Sequence, residues 1–60
     1  MNYIVIELCC SSCRRFEDLH VINCENYLDL KQILKDMYME SGNTFYVYDM
    51  KGFHIETLFD

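Results

Sequence analysis

Apolar and polar positions along the chain predict one helix set among four strands. Residues 2–8, NYIVIEL, alternate strictly and are rich in β-branched side chains, which predicts a strand. Residues 9–18, CCSSCRRFED, show no period and read as a connection, and residues 19–23, LHVIN, suit a short second strand. Leu30, Ile33, Leu34, Met37 and Tyr38 then recur at the i, i+3, i+4, i+7, i+8 spacing of a helix packed on one side. Asn26 is placed to cap that helix, Asp29 puts a carboxylate in its first turn, and Gly42 suits its left-handed end. Residues 44–49 and 53–59, TFYVYD and FHIETLF, are strand-like on either side of Asp49-Met50-Lys51-Gly52, which has the residues of a tight turn.

The order is β-β-α-β-β. It predicts a small α+β domain spanning residues 1–60, with one helix packed on one face of a four-stranded, mainly antiparallel sheet. A single helix covers only one face, so side-chain alternation divides each strand between a covered and an open side. The most apolar sets are expected under the helix: Ile4, Ile6 and Leu8; Leu19 and Val21, with Ile22 as the competing choice; Phe45 and Val47; Phe53, Ile55 and Phe59. Tyr3, Val5, Glu7, Tyr46, Tyr48, His54, Glu56 and Leu58 then fall on the open side. Tyrosine joins apolar area to a hydrogen-bonding tip at low entropy cost, as protein interfaces require. The expected partner-binding residues are therefore Tyr3, Glu7, Tyr46, Tyr48, His54 and Glu56.

Charge narrows the choice of partner. Ten carboxylates oppose five Lys and Arg, a net −5, whereas phosphate backbones bind through cations. Direct nucleic-acid or anionic-membrane binding is disfavoured, and another protein is expected, a basic or nucleic-acid-binding one included. The carboxylates are spread from Glu7 to Asp60, as on a solvated surface or a surface imitating the phosphates of DNA. The first residues, MNYIVIELCC, lack a basic segment and are interrupted by Glu7, unlike an export signal or membrane span, so a cytoplasmic location is expected. A core of 60 residues is thin, and a homodimer is one way to extend it.

Three of the four cysteines lie within CCSSC. Cys10 and Cys13 form a C-x2-C pair, and His20 and Cys24 follow as H-x3-C, four soft ligands for a structural zinc ion. Positions 20 and 24 stand about 13 Å apart in a strand rising ~3.3 Å per residue, too far to share an ion. A thiol-redox site at Cys10 and Cys13 after a strand is the other chemical reading, but the chain has no proline and is too short for a thioredoxin-like fold. The simpler expectation treats Cys9, Cys10 and Cys24 as small buried hydrophobes and Cys13, beside Arg14 and Arg15, as a reactive thiol. His20 and His54 are expected on the solvated side of the sheet. No cofactor and no catalytic residue is assigned. The functional expectation is a non-enzymatic, acidic protein-binding module, of the kind phage or mobile elements use to disable a host protein. The alternative is a structural-zinc or thiol-redox miniprotein.

Overall fold

The computed structural model describes residues 1–10 and 12–60. Its elements are β1 (Asn2–Leu8), β2 (Phe16–Asn23), α1 (Tyr27–Ser41), β3 (Thr44–Asp49) and β4 (His54–Leu58). The strands form one sheet in the order β2-β1-β3-β4 with every neighbouring pair antiparallel. This is the β-β-α-β-β domain expected, with α1 on one face. β1 and β2 form a hairpin, β3 and β4 form a second, and α1 carries the chain across β1 between them.

Helix α1 has the ends its sequence specifies. The Asn26 side chain accepts a hydrogen bond from the Asp29 backbone N–H at 3.0 Å, and Gly42, at φ 70°, donates its N–H to the Tyr38 carbonyl at 2.8 Å. Leu30 and Leu34 are fully buried against Val5, Phe45 and Val47, and Met37 and Tyr27 pack at the margin. Burying each such side chain stabilises the fold by roughly 1.5–3 kcal/mol. At the β3–β4 turn the Asp49 carboxylate accepts the backbone N–H groups of Lys51 and Phe53, and Gly52 takes φ 90°.

β2 starts at Phe16, three residues earlier than its apolar period indicates. Glu7 pairs with Asp18 and Leu8 with Phe16, so a bulge absorbs Glu17. Glu17 and Asp18 are exposed on an edge strand, where charge is common and hides the strand period.

The face of β1 is the reverse of the expectation. Opposed residues of an antiparallel pair share a face, and Val5 opposes Val47 while Glu7 opposes Phe45. Since Phe45 and Val47 lie under the helix, Tyr3, Val5 and Glu7 lie there too, all buried. Ile4, Ile6 and Leu8 are therefore on the open side. In β2, Ile22 opposes Tyr3 and His20 opposes Val5, so the helix side takes Ile22 and His20, leaving Leu19 and Val21 outside. In β4, Leu58 and Glu56 oppose Phe45 and Val47, and an irregularity at Ile55 lets His54 oppose Tyr48 on the open side. Phe53 and Ile55, expected inside, are 67% and 42% exposed, whereas Phe59 packs edge-on to Phe45 and stacks on Tyr38.

Candidate functional site

The residues named as a binding set divide between the two faces. Tyr3 lies under the helix with its ring 5.7 Å from that of Tyr27. Glu7 accepts from Asn43 Nδ2 at 2.6 Å and meets His20 Nε2 at 2.8 Å. Two polar partners make its burial tolerable, because an unpaired buried carboxylate would cost several kcal/mol. Glu56 accepts from the Tyr27 hydroxyl at 2.7 Å and lies 3.6 Å from Lys31 Nζ. Burial first, then the Glu56 carboxylate, pushes the Tyr27 phenol far above its ordinary pKa, so it remains a donor. Tyr3 and Glu56 hold helix to sheet, and Glu7 ties β1 to β2 and to the α1–β3 connection.

Tyr46, Tyr48 and His54 are on the open face, as expected. Their rings form a cluster, with His54 6.0 Å from Tyr46 and 5.4 Å from Tyr48. The strand register carries this cluster into two rows across the sheet. Val21, Ile4, Tyr48 and His54 make one row; Leu19, Ile6, Tyr46 and Thr57 make the other. Phe16 and Leu8 continue the surface at one end. On β2, Phe16, Leu19 and Val21 are 64%, 54% and 64% exposed. The Arg14 guanidinium closes that end, donating to the Tyr46 hydroxyl at 2.6 Å and to Asp60 at 3.3 Å. The aliphatic residues of this face were missed because β1 is apolar on both sides. A usable signal was the pair Glu7 and His20, which a short β1–β2 hairpin sets on one face and so fixes the other.

The thiols form a separate group at the β1–β2 connection. The Cys9 N–H donates to the Arg15 carbonyl at 2.7 Å and the Arg14 N–H to the Cys10 carbonyl at 2.9 Å, folding the loop back on itself. Cys9 and Cys13 are joined as a disulfide with Cα atoms 6.7 Å apart, and Cys10 Sγ lies 2.6 Å from Cys13 Sγ. Neither Cys9 nor Cys10 is the buried hydrophobe expected, whereas Cys24 is buried. The Ser12 hydroxyl beside Cys10 Sγ, followed by the Cys13 N–H, lowers the Cys10 thiol pKa. Ser11, inside the C-x2-C pair, lies outside the described residues.

The four-ligand zinc set does not assemble. Cys24 donates its N–H to the Met1 carbonyl at one end of β1, and Cys9 follows the other end, roughly 25 Å away at ~3.3 Å per residue. His20 is engaged by Glu7. Among the described residues, the cysteines that come together are Cys9, Cys10 and Cys13. A shallow groove between α1 and the end of β4 is lined by Leu28, Lys31, Gln32, Lys35, Leu58 and Phe59. Among the described residues no helix is long and apolar enough to cross a membrane. Comparison with protein-family models, curated proteins and solved structures finds no match for this chain.

Proposed function

We propose that the chain is a protein-binding module, not an enzyme, and that the open sheet face is its docking surface. The observation that carries this reading is the exposure of Phe16, Leu19 and Val21 beside half-buried Ile4, Ile6, Tyr46 and Tyr48. The largest contiguous apolar patch on a chain, typically a few hundred Å2, is often a functional surface.

The occupant we assign is a second copy of the chain. Four strands ~4.8 Å apart and about six residues long present a footprint of roughly 400 Å2 before side-chain relief is counted. Two such faces bury on the order of 800–1,000 Å2, below the ~1,200 Å2 of stable specific interfaces, so the dimer is weak and concentration-dependent. Sheets stack about 10 Å apart, with each helix on the outside. Edge-to-edge pairing is less favourable: β2 carries Glu17 and Asp18 along its edge and β4 is irregular at Ile55. Inhibition of another protein, the role expected from size and charge, would use the same face and compete with the dimer.

Sedimentation equilibrium tests the proposal. Val21→Lys and Tyr48→Ala should weaken self-association while leaving circular dichroism unchanged. Leu28→Lys, at a 75%-exposed position of α1 away from the open sheet face, should leave association intact. A chain that stays monomeric as concentration rises, or that loses association only with Leu28→Lys, rules out the sheet-stacked dimer.

A further inference from the structure

The thiols of Cys9, Cys10 and Cys13 cluster in the β1–β2 connection. In this structure the Sγ atoms of Cys9, Cys10 and Cys13 all lie within 4.8 Å of one another. Three thiolates around one ion with bonds of ~2.3 Å sit about 4 Å apart in a trigonal plane. A small adjustment of an exposed loop brings the sulfurs to that spacing. Cys9 and Cys10 are half-buried and Cys13 is exposed, so an ion has a path in from solvent.

We propose that the reduced loop binds one cuprous ion through the sulfurs of Cys9, Cys10 and Cys13. Soft thiolates select Cu(I), Zn2+ or iron–sulfur clusters. The number of donors separates these choices: structural zinc is almost always four-coordinate, whereas three sulfurs complete a trigonal Cu(I) centre. His20 and Cys24, the two donors that would have completed a zinc set, are held elsewhere. Binding is written as Cu+ plus three thiols giving a tris-thiolate complex of charge −2 and three protons. Arg15, two residues beyond Cys13, adds positive charge to the same connection, Arg14 being paired with Asp60, and the Cys13 N–H donates to Cys10 Sγ at 3.3 Å. The Cys9–Cys13 disulfide and the ion exclude each other. Opening it takes two external thiols, which leave as their own disulfide and give two protons to the loop.

The test titrates the fully reduced chain with Cu(I) under anaerobic conditions against a chromophoric Cu(I) chelator. One ion per chain is expected, with a three-sulfur shell by X-ray absorption. Replacing Cys9, Cys10 or Cys13 singly by Ser should each weaken binding by more than about 100-fold, beyond what losing an outer-sphere partner costs. Cys24→Ala, which avoids placing a hydroxyl in the core, should bind as the parent chain does. The cysteines of the loop are outside the core, so circular dichroism of their Ser variants should match the parent. Preference for Zn2+ over Cu(I), retention of full affinity without Cys9, or loss of affinity in Cys24→Ala would each overturn the assignment.

Discussion

At the scale of single residues, the helix-side polar groups set a dependence on alkaline pH. The Tyr27 phenol is half-buried and donates to Glu56 Oε1, and both effects disfavour its anion. Its folded pKa lies above the ordinary value near 10, so the stability it contributes is complete below pH ~10 and is lost as pH rises beyond that. Tyr27→Phe should cost about 1 kcal/mol at neutral pH, the net worth of one hydrogen bond. It should also flatten the fall in stability above pH 10. Urea unfolding at neutral and alkaline pH checks both parts, and an unchanged alkaline slope in the Phe variant would refute the coupling.

At the scale of elements, α1 is the piece whose sequence and structure agree most closely, because its information is local. A period of 3.6, Asn26 at one end and Gly42 at the other lie within the helix and its immediate flanks. Leu34 occupies the centre of its buried stripe, fully enclosed. Leu34→Ala should lower stability by about 2–5 kcal/mol. In a chain of this size that moves the thermal midpoint by roughly 10 °C or more. Leu28→Ala, at a largely exposed position of α1, should leave the midpoint nearly unchanged, and thermal circular dichroism separates the two. The strands were legible as elements but not as faces. β1 carries Ile4, Ile6 and Leu8 on one side and Tyr3, Val5 and Glu7 on the other, and hydrophobicity alone prefers the first set. The register decides otherwise, since Glu7 gains His20 and Asn43 only on the helix side. In β4 a single irregularity at Ile55 separates Leu58, which is on the helix side, from His54, which is on the open side. Such shifts are invisible to a period-2 reading. Tyr46 and Tyr48 were nevertheless correctly placed, because β3 has one plainly apolar side, whereas His54 reaches the open face only through the irregularity at Ile55.

At the scale of the whole molecule, charge distinguishes the occupants of the open face. Each copy carries −5, yet the face itself presents Ile4, Ile6, Leu19, Val21 and two tyrosines. In a sheet-stacked dimer the two helix layers lie about 30 Å apart, given ~10 Å between sheets and a similar step to each helix. The Debye length is about 30 Å at 0.01 M salt and about 8 Å at 0.15 M. Repulsion between the copies is therefore felt in dilute buffer and screened at physiological ionic strength. Self-association should tighten as salt rises over that range, and the thermal midpoint should climb with protein concentration, as for any fold stabilised by its own association. A complex with a basic protein has the opposite sign, because salt screens an attraction there. Sedimentation equilibrium at the two ionic strengths reads the sign directly: tightening supports stacked copies, and weakening transfers the same face to a cationic partner.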